Sequence, residues 1–316
     1  MLTPDFIQSA ARSAGFDACG VVALSALPSD VLRSFDEWIR RRHHAGMRYM
    51  ERYLHQRADP RRLMKRGART AVVALLSYKP HRRQPPHLPQ VSCYAYGADY
   101  HDVLKQKLRS LLAALQAQQP ALQGRAFVDT APLQERYWAA AAGLGWLGKN
   151  GMLISRELGS YTFIGVLLLD DDVKSSATPA KNRCGACTRC ISACPTSAIV
   201  GCGRVDAHRC LSYRTIEKHA NPQQGDAQSA EAEKDEKTAA PRYIFGCDIC
   251  QEACPWNRKA KVAAHGELQI LPQLLSLTAE DWLAMSADDF EKIFERSPIK
   301  RATLQGMKEN VRATMG

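Results

Sequence analysis

The chain has 316 residues, 45% hydrophobic and 24% charged, which are the proportions of a folded globular protein rather than a disordered or fibrous one. Its formal net charge is +11, from 43 Lys and Arg against 32 Asp and Glu, and this favours a polyanionic partner such as nucleic acid. The apolar run "YTFIGVLLL" is too short to cross a bilayer, so a buried strand is expected there and no membrane partner. Eleven cysteines without a secretory signal point to a reducing cytoplasm and to metal sites rather than disulfides.

In chain order, Thr3 caps an amphipathic helix with Pro4 at its first position, and Gly15 stops it. "ACGVVAL" reads as a strand, Ser29 opens a helix to about His44, and "MRYMERYLHQR" is a further helical piece. The segment from Arg40 to Arg69 holds eleven Lys or Arg against only Glu51 and Asp59, a density suited to tracking phosphates. "TAVVALLSY" is apolar enough to be a central strand, and "KPHRRQPPHLPQ" is a Pro-rich surface loop. "VSCYAYG" alternates like a strand, and Asp99 caps the helix "YHDVLKQKLRSLLAALQAQ". "RAFVDTAP" is a strand ending in a turn, "LQERYWAAAAG" is a helix stopped at Gly143, and "GMLIS" with "YTFIGVLLLD" makes a hairpin across "RELGS". This succession predicts an α+β first domain over residues 1–175, α/β-like in its alternation and built on a mixed sheet. A second domain spans 176–260, with the polar, aromatic-poor stretch 221–241 read as a disordered insertion. Residues 261–316 form a short helical cap with helix starts at Thr278, Ser286 and Ser297, the first two followed by an acid three residues on.

The second domain carries the strongest signal. "CGACTRCISACP", Cys184 to Pro195, has the C-x-x-C-x-x-C-x-x-x-C-P spacing of bacterial-type ferredoxins, in which the fourth Cys serves the other four-iron four-sulfur cluster. "CDICQEACP", Cys247 to Pro255, has the same ending without its first Cys, and Cys202 and Cys210 lie between the runs. Two-cluster pseudo-symmetry assigns Cys184, Cys187, Cys190 and Cys254 to one cluster, and Cys210, Cys247, Cys250 and Cys194 to the other. Paired C-x-x-C steps also bind zinc, but zinc sites rarely interleave three- and four-residue steps with a Pro after each terminal Cys. Eight thiolates and two cluster cores would together add about −4 to the formal charge, leaving a basic protein.

A two-cluster module usually feeds another centre, which the first domain should hold. "GLGWLG", Gly143 to Gly148, matches a dinucleotide-binding glycine pattern, but it follows a helix and precedes a strand, so a helix end and tight turn is the better reading. Asp129 ends an apolar strand before a turn. It either caps the following helix or faces a cavity, where burial would raise its pKa and make it a proton donor near neutral pH. His101, at a helix start, suits an axial metal ligand or an ordinary place at a helix N-terminus or in the core.

The strings "YAYGADYHDVL", "FVDTAPLQERYWAAAAGLGWLGKNGMLI", "GSYTFIG", "CGACTRCISACPTSAIV", "RCLSYRTIE" and "GCDICQEACPWN" together resemble the epoxyqueuosine reductases of tRNA queuosine synthesis, from about Gly46 to Asn257. That family is related to the reductive dehalogenases, and the resemblance implies a cobalamin-binding domain followed by a ferredoxin-like domain with two 4Fe-4S clusters. The implied activity is reduction of epoxyqueuosine, at the anticodon wobble position, to queuosine. Electrons would pass through the clusters to cobalt(I) cobalamin, and Asp129 falls on the family's proton donor. The resemblance further implies cobalamin contacts from Arg57, Asp129, Leu153, Ser212 and Gly246, and tRNA contacts from Arg214 and Lys218; Cys93 is either a cobalamin contact or a small buried packing residue. Tyr49, Tyr100 and Trp146 are candidates to stack an extruded base, with core packing the better reading of each. The chain has no D-x-H-x-x-G string, so cobalamin is expected base-off. A small electron donor such as ferredoxin or flavodoxin is the expected partner, and the protein is expected to be a monomer. The competing readings are an electron-transfer subunit without its own substrate site and a zinc-containing nucleic-acid-binding module. Cys19 and Cys202 receive no role. Many members of that family carry a C-terminal helical-repeat extension, whereas residues 261–316 are expected to form only short helices.

Overall fold

Two strands of nearly unbroken apolar sequence lie at the centre of the molecule. In the computed structural model, which describes residues 2–175, 177–201, 203–218 and 242–315, these are β2 (Thr70–Ser77) and β7 (Thr162–Leu169). They pair along their full length, and β1 (Ala18–Ala23) and β4 (Gly124–Phe127) flank them in the order β1-β2-β7-β4. All eight residues of β2 are buried because both faces of the sheet are covered. Val72, Ala74 and Leu76 face one hydrophobic cluster, and Ala71, Val73 and Leu75 the other, the two-residue period of a pleated strand.

One face packs on α4 (Tyr100–Gln118), whose Leu104, Leu108, Leu111 and Leu115 make a single helical stripe. Burying each leucine stabilises the fold by about 2 kcal/mol. Asp99 caps α4 by accepting from the His101 N–H. The other face packs on α5 (Glu135–Ala141) through Trp138 and Ala139, and Gly143, at φ 79, ends that helix. α1 (Pro4–Ser13) starts at the Thr3 cap, and α2 (Ser29–Arg40) precedes the short α3 (Leu54–Ala58). The smaller pairs are β3 (Gln90–Val91) with β10 (Tyr243–Phe245), β5 (Trp146–Leu147) with β6 (Leu153–Ile154), and β8 (Ile199–Gly201) with β9 (Arg204–Val205). Within the cysteine runs lie two single-turn helices, α6 (Arg189–Ala193) and α7 (Ile249–Glu252).

The C-terminal helices begin at the expected caps, with a full capping box between Thr278 and Asp281. They are part of the core. Trp282, Phe290, Phe294, Ile299, Met307 and Val311 belong to the same apolar cluster as Val72 and Leu104. Trp282 stacks on Phe294, with ring centroids 5.3 Å apart and planes at 7°.

Three expectations are corrected. The central sheet is antiparallel throughout rather than mixed, and the one parallel pair is β3 with β10. Alternation of strands and helices suggested crossovers, but residues 24–69 return the chain to the end of the sheet it left, so β2 runs against β1. In "VSCYAYG" only Val91 is in a strand. Cys93–Ala95 form a 3-10 turn whose apolar residues are buried by tertiary packing rather than by sheet pairing. "GMLIS" pairs back onto β5 and meets the next segment only at one Ser155–Gly159 bridge, because β7 is already paired on both edges by β2 and β4. The stretch 221–241 and Cys202 lie outside the described residues. Among the described residues, no helix is long and apolar enough to cross a membrane.

Candidate active site

Asp129 lies just beyond β4 with φ at 56, a left-handed backbone that costs a non-glycine residue energy. It borders two adjoining cavities of about 460 and 560 Å³, which also share Tyr94, Tyr100, Val205, Cys210 and Ser212. The loop is tied down by its neighbours. The Asp129 N–H donates to Glu135 Oε1 at 2.7 Å, and the Tyr100 hydroxyl donates to Asp129 Oδ2 at 2.9 Å. His101 Nε2 stands 3.5 Å from the same oxygen, while its Nδ1 is 2.7 Å from Asp99 Oδ1. Tyr100 stacks flat on Phe163, with centroids 4.3 Å apart, which fixes its hydroxyl.

The charges of this group are uneven. Burial pushes the Asp129 carboxyl up, but hydrogen bonds from His101 and Tyr100 and the His101 charge outweigh it and hold the group below the ordinary carboxylate range. This reverses the expectation of a raised pKa at Asp129. Glu135 has the raised one: burial, then the neighbouring Asp129 charge, push it up to about 8. Burial works against the His101 proton, but Asp129 and Asp99 raise its pKa to about 9. At neutral pH the ligand-free site therefore holds an ionised Asp129 between a protonated His101 and a protonated Glu135. Asp129 does not cap α5, whose N-cap, Gln134, makes no side-chain cap bond. Glu135 is the residue that sequence reasoning missed. Its only signal was an acid in the first turn of α5, which is ordinary helix chemistry.

The cysteines gather in two sets of four. Cys194, Cys210, Cys247 and Cys250 line the 460 Å³ cavity with Asp129, whereas Cys184, Cys187, Cys190 and Cys254 line a separate cavity of about 70 Å³. Asn150 borders both. Burial and then Cys254 and Cys184 push the Cys190 thiol up, while burial, Cys210 and Cys194 push Cys247 up to about 12. A bound iron core would relieve that cost by favouring thiolates. Among the described residues, no three Cys, His, Asp or Glu converge tightly enough for one bare ion. Four cysteines on one cavity are the donor set that would hold a polynuclear iron–sulfur cluster.

The 460 Å³ cavity also has features that suit an organic cofactor. Thr162 Oγ1 and Asn150 Nδ2 are buried on its wall with no hydrogen-bond partner, beside Tyr78, Phe163 and Ile164. Buried polar atoms are nearly always satisfied, so these two fit a ligand that is largely apolar with hydrogen-bonding edges, as an amide-fringed corrin is.

The remaining sequence candidates divide. Ser212 lines both cavities. Gly246, at φ 69, lies next to Cys247; a Cβ there would meet Ser92 Cβ at 2.5 Å, so no other residue fits without a shift. Cys93 is 1% exposed in the apolar core, with its thiol pushed well up by burial; only its neighbours Ser92 and Tyr94 reach the cavity. Leu153 is likewise core, and Met152 lines the wall. Arg57 lines neither cavity. It is buried, donating to the Arg52 and Tyr49 carbonyls, and so shapes the basic loop. Arg214 is buried, with Nε donating to the His208 carbonyl, while Lys218 is exposed. Trp146 is packed edge-on against Trp256 and cannot stack a base, whereas Tyr100 lines both cavities and Tyr49 is 40% exposed.

Residues 57–130 match the family described as "Epoxyqueuosine reductase QueG, DUF1730", and residues 183–257 match the "4Fe-4S double cluster binding domain". The chain is 38% identical to an epoxyqueuosine reductase of Cellulophaga algicola over 97% of this chain and 96% of that one. It is 33% identical to an epoxyqueuosine reductase of Pseudomonas aeruginosa over 98% of this chain and 84% of that one. The solved epoxyqueuosine reductase of Streptococcus thermophilus superposes with a TM-score of 0.83 at 28% identity, covering 98% of this chain and 80% of that one. The chain belongs to the epoxyqueuosine reductase family.

Proposed function

We propose that the protein reduces epoxyqueuosine in the tRNA anticodon to queuosine, with electrons entering through two 4Fe-4S clusters and cobalamin held base-off in the 460 Å³ cavity. The observation that carries this reading is the single cavity on which Asp129 and four of the cluster cysteines meet. Electron entry and proton supply thus face one space. An electron-transfer subunit has no need of the Asp129, His101 and Glu135 assembly.

Removing the epoxide oxygen as water consumes two electrons and two protons. When bound, the clusters and cobalamin supply the electrons at low potential. The chain's own residues manage the protons. Asp129 carries a carboxyl between the two cavities, and it acts as the donor to the departing oxygen. Protein atoms crowd the carboxyl, yet the side chain keeps 56% exposure toward the cavities, so a substrate seated there strips the remaining water and raises its proton affinity. His101 and Glu135 hold one proton each beside it, matching the two the reaction consumes. Tyr100, fixed on Phe163, orients the carboxylate.

The cysteines line their cavities in the sets that spacing assigned, which supports Cys194, Cys210, Cys247 and Cys250 as the inner cluster ligands and Cys184, Cys187, Cys190 and Cys254 as the outer. Met47 lines the cavity that Asp129, His101 and Arg301 share, and the exposed Arg48, Tyr49, Arg52 and Tyr53 follow it in sequence. Basic and aromatic side chains together suit a single-stranded anticodon loop, and Lys218 adds a further cation. Residues 1–175 are the catalytic unit of this proposal, and 176–260 the electron-transfer unit.

Anaerobic reconstitution tests the cofactor content. About eight irons per chain and stoichiometric cobalamin are expected. Iron without cobalamin would leave an electron-transfer subunit, and zinc without iron would defeat the proposal.

A further inference from the structure

The outer set of cysteines sits among loops from which acidic residues are missing. Residues 173–205 contain no Asp or Glu but include Lys174, Lys181, Arg183, Arg189 and Arg204. Residues 253–266 contain none either, and carry Arg258, Lys259 and Lys261. Lys181, Arg183, Arg189, Arg258 and Lys259 are exposed, and none has an ion-pair partner among the described residues. By contrast, Arg204 is paired with Glu37, and Lys149 is bonded to the Gly185 carbonyl. Arg183 lines the small cavity itself, and Arg189 opens the turn between Cys187 and Cys190. Leu147, 39% exposed, adds an apolar spot where its carbonyl accepts from Asn182, two residues before Cys184.

We propose that this basic collar is the docking surface for a small acidic one-electron carrier protein, which reduces the outer cluster. The inference rests on the reading of the small cavity as a cluster site. Each transfer oxidises the carrier by one electron and reduces the cluster by one, so two encounters supply a turnover. Cations around a redox centre steer an acidic carrier and orient it for transfer, and such electron-transfer interfaces are small. The anticodon is the weaker candidate for this surface, because the small cavity lacks Asp129 and shares only Asn150 with the 460 Å³ one among the described residues.

The test uses the reconstituted holoenzyme and reduced flavodoxin in an anaerobic stopped-flow measurement of cluster bleaching. Lys181→Glu with Lys259→Glu should slow the second-order rate about tenfold or more at low salt and flatten its salt dependence. Reduction by dithionite, iron content and affinity for an anticodon stem-loop should stay at wild-type values. An unchanged flavodoxin rate would overturn the proposal, as would a loss confined to stem-loop affinity. If the reversed pair fails to load iron, the Gln pair gives the same comparison. Failure of dithionite to bleach the wild-type protein would instead sink the cluster reading, and the docking proposal with it.

Discussion

Glu135 accepts a hydrogen bond from the backbone N–H of Asp129 at 2.7 Å, so the residue with the raised carboxyl pKa holds in place the loop of the residue with the lowered one. The two side chains divide the tasks of storing a proton and presenting it. That division leads to the first two expectations.

Asp129→Asn should leave iron content and the cobalamin spectrum intact while lowering turnover by 10²-fold or more, the usual scale of a lost general acid. The amide keeps an acceptor for the Tyr100 hydroxyl, so folding should be little changed. Turnover within twofold of wild type would return Asp129 to a structural role.

Glu135 and His101 set the alkaline limit. Their folded pKa values of about 8 and about 9 lie above ordinary values of about 4.3 and 6.5. Groups shifted this way stabilise the fold fully below the ordinary value and lose that contribution as pH rises through the folded value. Turnover should therefore fall between about pH 8 and 9, where both stored protons leave. Glu135→Gln keeps an acceptor for the Asp129 N–H but cannot titrate. Its profile should lose the limb near 8 and retain the one near 9. A profile identical to wild type would show that the Glu135 proton takes no part.

The crossed cysteine sets can be tested one ligand at a time. Cys254→Ser, from the second run, should disturb the cluster of Cys184, Cys187 and Cys190, whereas Cys250→Ser, four residues earlier, should disturb the other. Electron paramagnetic resonance of the reduced protein distinguishes the two signals. Loss of the same signal in both variants would refute the pairing.

The C-terminal helices predict a stability effect far from the chemistry. Trp282 is fully buried against Phe294, and Trp282→Ala should cost about 3–5 kcal/mol. Because that cluster also contains Val72 and Leu104, the loss should appear as a lower midpoint of the main thermal transition, not a separate early one. A separate transition would mean that the tail folds alone.

Local pattern carried much of this architecture. The spacing within each cysteine run was legible because its members lie within a few residues, whereas the crossing of Cys194 and Cys254 between the runs rests on pseudo-symmetry. The caps at Thr3, Asp99, Thr278 and Ser286 were legible because capping is a contact over two or three residues. Strand direction was not, since nothing local tells whether residues 24–69 cross the sheet or turn back. Cys93 and Arg57 were assigned by resemblance, and their burial comes from distant partners: Asp248, which accepts from the Cys93 N–H, and the folded-back carbonyls of Tyr49 and Arg52. Glu135 stayed hidden for the same reason. Its partner is six residues away, and they meet only because the Asp129 backbone turns left-handed.

The most direct test of the central claim is single-turnover conversion of epoxyqueuosine-containing tRNA by anaerobically reconstituted protein under dithionite, with and without cobalamin. Queuosine should form only when both iron and cobalamin are loaded, and Asp129→Asn with the same cofactors should form almost none. Equal conversion without cobalamin, or none with both cofactors bound, would contradict the account.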